Sequence, residues 1–258
     1  NPTRTASTAS GLMIGIALVA AIGSLGSSFI GTISDQLDKE IKTDFTVQPR
    51  GAQGGPQPVI AERALEQVQA LPATGAATGV KTIYLASGEA EGQLVYAVDP
   101  AMNSKFSSPK YEPGGAADVD AALAGGGVVL PSGFAKSNDL TVGDTIALEG
   151  PRGNEKLEIV ALRTGDSIEA SSVVMSISTF DKLYGATGYS QLLAIAKTPE
   201  QRSELGGQID ELLASEYPAF QSLSNEQVKN QIKGQVNQVV AIFYVIMAVA
   251  LLVSLLGV

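Results

Sequence analysis

Cysteine, histidine and tryptophan are absent from this 258-residue chain. Without Cys or His there is no zinc finger, no haem ligation by the usual residues, no thiol nucleophile, no Ser-His-Asp triad and no structural disulfide. Metal binding would fall to carboxylate oxygens, which restricts an ion to magnesium or calcium. Aromatic residues make up only 5%, and positive charge is short, with 17 Lys and Arg against 26 Asp and Glu for a formal net charge of -9. What the chain has is apolar residues, 45% of the total, and a length suited to one or two folded units.

The charges are unevenly placed. Arg4 is followed by 30 uncharged residues before Asp35, and within that gap 11–33 (GLMIGIALVAAIGSLGSSFIGTI) is an apolar run of 23 residues. As a helix rising about 1.5 Å per residue it would reach about 34 Å, enough for a hydrocarbon core of roughly 30 Å. After Lys233 there is again no charge, and Ser254 is the only strongly polar side chain in 239–258. Transmembrane helices are therefore expected at 6–34 and 239–258. A cleaved signal would have a shorter apolar region of about 7 to 15 residues, and a buried core helix would be apolar on one side instead of all round. Between the spans, 35–233 carries all 26 acids and 16 of the 17 bases, a net charge of -10. That argues against nucleic acid and against an anionic membrane surface as partners. Arg4 places the N-terminus in the cytoplasm and the long segment outside. A chain that starts without Met and stops inside an apolar run reads as a piece of a longer membrane protein.

The apolar beat continues past the first span through Ile30, Ile33, Leu37, Ile41 and Phe45, with Asp35, Asp38, Lys39 and Lys42 on other faces. It predicts a stalk over 35–45. Val228, Ile232, Val236 and Val239 or Val240 repeat the pattern and predict a second stalk over 225–238. Leu37, Ile41, Val228 and Ile232 are the expected coupling positions, packing on each other or on a neighbour. Strands are expected at 45–49, 80–86, 93–98, 191–196 and 219–223, with helices at 61–71 and 199–213. The segment 100–188, rich in Gly, Ser and Asp, reads as short strands at 128–130, 145–148, 157–162 and 172–176, with one short helix near 133–137.

No catalytic constellation is present. The sequence GAATGVKT at 75–82 approaches the phosphate-cradling G-x-x-x-x-G-K-[ST] loop but has Gly79 one position early, Val80 where the second Gly belongs, and a strand following instead of a helix. Lys81→Ala is accordingly expected to leave function untouched. Asp118 with Asp120, and Glu89 with Glu91, lack the glycine and ligand spacing of a calcium loop and read as solvated surface. No catalytic residue, cofactor or metal is expected. Within the first span Gly11, Gly15, Gly23, Ser27 and Gly31 form a small-residue stripe of the kind that lets helices approach closely. Neither span carries an ionisable residue, so neither supports a proton or ion relay.

Asn1-Pro2-Thr3-Arg4-Thr5 running into GLMIGIALV, then a charged stalk ending in Asp44-Phe45, resembles the first span of FtsX/MacB-like ABC transporter permeases. GGVVLPSGFAKSNDLTVGDTIAL at 126–148, followed by Leu157-Glu158-Ile159-Val160-Ala161, is similar to that family's extracytoplasmic domain. So is the close, a helix at 199–213, a stalk, and a span ending in Leu255-Leu256-Gly257-Val258. The resemblance implies an α+β fold: two transmembrane helices with stalks flanking a bilobed extracytoplasmic domain. A mixed porter-like lobe would occupy 46–99 and 189–224, and a β-rich sabre-like lobe would be inserted at 100–188. It implies a non-catalytic permease subunit of a bacterial cell membrane that transmits ATP-driven motion outward, in export, lipid or lipoprotein handling, or mechanotransmission. The partners implied are a cytoplasmic ABC ATPase, a second permease copy or permease half, membrane lipid and an extracytoplasmic protein or lipid substrate, but no nucleic acid. The chain departs from a complete member in lacking the later spans and the cytoplasmic coupling segment, so contact with the ATPase is assigned to no residue here. A two-span sensor with an outer ligand-binding domain fits the topology alone, and the sequence continuing past Val258 would separate the two.

Overall fold

The computed structural model describes residues 42–51, 58–165 and 171–256, together with Met13, Ala17, Ala21, Gly23, Ser24, Gly26, Ser28 and Gly31, which are helical. The chain divides into two compact units, Asn1–Asp35 with Glu226–Val258, and Gln36–Asn225.

The second unit is built on a ten-stranded sheet. Its first part comprises β1 (Phe45–Pro49), β2 (Thr74–Tyr84), β9 (Gln191–Ala196) and β10 (Phe220–Ser224), in the order β10-β1-β9-β2 and antiparallel throughout. The helices α1 (Glu62–Ala70) and α6 (Arg202–Glu216) cover it. Both are amphipathic at helical spacing: α1 buries Ala64 and Val68, and α6 buries Leu205, Ile209 and Leu213, each four residues apart. These side chains close over Val47, Ile60, Leu192 and Ala194 to form one apolar core.

The sheet continues through β3 (Leu94–Val98), β8 (Ser172–Ser176), β5 (Val128–Pro131), β7 (Gly153–Thr164) and β4 (Lys110–Glu112), with β6 (Thr145–Gly150) paired to β7. Here β3 and β8 run parallel, as do β5 and β7. Every residue of β5 and β8 is buried, which accounts for their unbroken small or apolar composition. One core gathers Val95, Leu130, Ile146, Ile159, Met175 and Phe180, and a third cluster on the other face holds Val80, Tyr96, Leu123 and Val174.

Among its described residues the stretch expected to be chiefly β carries four helices beside its strands: α2 (Pro100–Phe106), α3 (Ala116–Ala124), α4 (Ser132–Ser137) and α5 (Ile177–Tyr184). Only α4 was foreseen. Asp99 caps α2 by accepting from Ala101 N, with Pro100 in the first turn. Ser176 caps α5 through Thr179 N, and Gly185, at φ 60°, ends it in the left-handed conformation that favours glycine. Leu94–Val98, read from the sequence as part of the first lobe, is hydrogen-bonded along its length to β8 in the second part of the sheet.

In the other unit, α7 (Asn225–Leu256) runs for 32 residues through the expected second stalk and second span without interruption. Val228, Ile232, Val236 and Val240 are half-buried, while Val239, Ile242, Phe243, Val245, Ile246 and Val249 are at least half exposed. Among the described residues no helix is long and apolar enough to cross a membrane. The two expected spans therefore rest on the sequence pattern.

Candidate functional site

Two places in the Gln36–Asn225 unit concentrate directional contacts. The first lies where the chain enters it. Lys42 N donates to Phe106 O at 3.0 Å and its Nζ to Ser104 O at 3.2 Å, so a cation sits on the C-terminal carbonyls of α2. Two residues on, Asp44 grips the first part of the sheet at β9. Its Oδ2 accepts from Ala196 N at 2.9 Å, its Oδ1 pairs with Arg202 Nε at 2.7 Å, and its amide donates to Ala194 O. Asn225 N donates to Asp44 O at 3.2 Å, so the residue that opens α7 is bonded to the one that precedes β1. The side chain of Asp44 is 12% exposed and that of Arg202 59%.

The second place is the middle of β2. Thr74 to Val80 pair with β9, and Lys81 to Tyr84 pair with β3, so the strand changes partner between Val80 and Lys81. Lys81 Nζ donates to Asp181 Oδ1 at 2.7 Å and to Ala186 O at 2.9 Å, and lies 5.5 Å from the centre of the Tyr189 ring. Tyr189 lies flat against Gly79, where any Cβ would run into its ring. Lys81, whose replacement by alanine is expected from the sequence to leave function untouched, has a side chain 4% exposed and bonded to a residue 100 positions away, so that substitution would remove a buried contact. The phosphate-loop near-match at 75–82 lies within β2, where Ala76 to Val80 pair with β9 and Thr82 N donates to Ser190 Oγ.

The family described as MacB-like periplasmic core domain matches residues 5–212, most of the chain. The chain belongs to that family. Two solved structures share its fold. The periplasmic region of MacB from Actinobacillus actinomycetemcomitans superposes with a TM-score of 0.53 at 12% identity, covering 78% of this chain and 97% of that one. The extracellular domain of the noncanonic ABC-type transporter YknZ from Gram-positive bacteria gives a TM-score of 0.52 at 10% identity, covering 72% and 100%. Among curated proteins none matches the chain significantly in sequence.

The electrostatics of this MacB-like domain are local. Burial first, then the carboxylates of Glu62, Asp181, Asp99 and Glu66, push the Tyr189 phenol above its usual range. Burial alone raises Tyr184. Beside the Asp44 junction, Glu200 is held below the usual carboxylate range by its own backbone N–H, the Thr198 hydroxyl and the Arg202 charge. Asp144 is lowered by the backbone N–H and hydroxyl of Thr141. Among the described residues no group of three or more acids is placed to hold a metal ion.

Of the residues singled out from sequence, Gly11, Gly15, Ser27, Leu37 and Ile41 lie outside the described residues. A Cβ on Gly23 would come 2.7 Å from Tyr244 Oη, whereas one on Gly31 would meet nothing within 4 Å. Gly26, not singled out, is also in close contact, its Cβ position being 2.9 Å from Val240 Cγ2. Val228 and Ile232 share the half-buried face of α7 with Val236 and Val240. Asp44, Arg202 and Asp181 were missed as contact residues because their partners are remote in sequence; the Asp44-Phe45 pair closing the first stalk was the one local hint.

Proposed function

We propose that the chain is the permease subunit of an FtsX/MacB-type ABC transporter, driven by a separate cytoplasmic ATPase and delivering motion to an extracytoplasmic domain. The observation that carries this is the family match over residues 5–212, which joins the first apolar segment to the outer unit in one family pattern. On this reading 6–34 and 239–258 span a bacterial cell membrane. The 35–45 and 225–238 segments are stalks coupled through Leu37, Ile41, Val228 and Ile232, and the stripe Gly11, Gly15, Gly23, Ser27 and Gly31 packs the spans together. The outer unit then comprises a porter-like and a sabre-like lobe, and the two cores on one face of its sheet support such a division. The strand pairing favours a boundary inside β2 over one at 99. Catalysis belongs to the ATPase, while a second permease copy or half, membrane lipid and an extracytoplasmic protein or lipid substrate complete the assembly.

The junction supports mechanical use. Lys42, Asp44 and Asn225 bond the incoming chain, the outgoing helix, α2 and the first part of the sheet within a few residues. A displacement of either stalk would reach the whole outer domain through them. The test is purification of the intact protein in detergent and identification of what accompanies it. A nucleotide-binding subunit whose hydrolysis is required for activity is the expected result. A protein that purifies with a signalling module and no nucleotide-binding subunit would refute the permease reading.

A further inference from the structure

The chain crosses between the two parts of the sheet at two neighbouring places. It goes out along β2 at Val80–Lys81 and returns through 185–190 into β9. These two crossings touch, since Ser190 N donates to Val80 O at 2.8 Å and Thr82 N to Ser190 Oγ at 2.9 Å. Two adjacent extended crossings make a hinge, because bending there requires small backbone changes at few residues. On one side of the hinge the packing is open. A cleft of about 430 Å³ lies between Leu65 and Gln69 of α1 and, opposite, Asp99, Met102 and Ile177, with Tyr189 in its wall. The outer part of the sheet therefore has room to change its angle.

Lys81 sits at this hinge with its charge buried, a costly arrangement unless the charge is paired and hydrogen-bonded. Lys81 pairs with β3, so it and Asp181 on α5 lie together on the outer side, with Ala186 in the segment leading back. The contact that crosses to the first part is with the Tyr189 ring, 5.5 Å from Lys81 Nζ. Tyr189 is fixed in turn by paired bonds with Ile60, N to O at 2.7 Å in each direction. From these contacts we infer that Lys81, Asp181 and Tyr189 are positioning residues that latch the hinge, making the two parts of the outer domain move as one when the stalks move. The latch rests on the permease reading for its purpose and on the geometry alone for its existence, and the two can fail separately.

A chain without cysteine allows a direct test. In the full-length protein in detergent, Glu211→Cys on α6 and Lys156→Cys on β7, both exposed, carry spin labels on either side of the hinge. The latched protein should give one narrow distance. Lys81→Met, which keeps the length of the side chain and drops its charge, should add a second distance in roughly a tenth or more of the molecules. Asp181→Asn serves as the second variant; its side chain is 41% exposed and keeps an oxygen acceptor for Lys81 while dropping the charge, and it should show the same second distance. An unchanged single distance in both variants overturns the latch. A second distance combined with undiminished output from the assembled transporter overturns its role in transmission. Failure to find any ATPase partner would instead overturn the permease reading and leave the latch to be decided by the distances.

Discussion

Replacing Asp44 with alanine removes two interactions of unequal worth. The bond from Ala196 N is to a charged acceptor that is 12% exposed, and Ala196 itself is 8% exposed. A hydrogen bond to a charged group is worth about 1.5–3 kcal/mol, and leaving the amide without a partner adds to the loss. The ion pair with Arg202 contributes less, since that side chain is 59% exposed and such pairs are worth about 0.2–1 kcal/mol. Asp44→Ala should therefore cost about 2–4 kcal/mol, Arg202→Ala no more than about 1 kcal/mol, and Asp44→Asn, which keeps an acceptor, an intermediate amount. For a unit of this size one kcal/mol corresponds to about 2–4 °C, so Asp44→Ala should lower the melting temperature by at least about 4 °C. Thermal unfolding of the full chain in detergent, followed by circular dichroism, reads these shifts. If Arg202→Ala lowered the melting temperature as far as Asp44→Ala, the junction would be held by the surface pair, and the assignment of its strength to the Ala196 bond would be wrong.

Gly79→Ala should cost about 1–3 kcal/mol by overpacking against the Tyr189 ring, and the same substitution made in a Tyr189→Ala chain should cost little further in thermal unfolding. Because the Tyr189 phenol is raised above its ordinary value of 10.0, the folded protein holds that proton after the unfolded chain has released it. Its contribution is therefore complete at lower pH and declines as pH rises above about 10, so Tyr189→Phe should flatten the alkaline loss of melting temperature while leaving neutral-pH behaviour intact. Gly26→Leu should force the first helix away from Val240 and lower the melting temperature in detergent, whereas Gly31→Leu, where a Cβ meets nothing within 4 Å, should leave it unchanged.

The sequence pattern located most strands because their alternation or apolar runs are local signals, as in Leu157 to Leu162 of β7 and all of β8. It began β2 six residues late. The residues Thr74 to Gly79 look like loop because they are small, yet they are small because other groups lie close: the Tyr189 ring at Gly79, and Ala196 O at 2.8 Å from a Cβ on Gly75. The helices α2 and α5 had legible caps in Asp99-Pro100 and in Ser176 with Gly185, but the surrounding Gly, Ser and Asp drew the reading toward turns. The site was harder to see. Asp44 meets Ala196 across 152 positions and Lys81 meets Asp181 across 100, separations that no local periodicity encodes. For a buried lysine in a strand, the partner's identity decides whether the residue is structural, and the partner lies elsewhere in the chain.

The kinds of contact in the two units suit different mechanical tasks. Apolar contact is non-directional and proportional to area, so a stripe such as Val228, Ile232, Val236 and Val240 keeps its energy when one helix slides or rotates slightly along another. Hydrogen bonds to charged groups weaken steeply with angle and distance, so Lys42 on the α2 carbonyls and Asp44 on Ala196 resist relative displacement of what they join. On the permease reading proposed above, a transmitter would need both properties in that order. On that reading tolerance would belong along the helices and stiffness where their motion would enter the outer domain. Exchanging them would defeat the purpose, since a polar lock between the helices would oppose that motion and an apolar junction at Asp44 would absorb it.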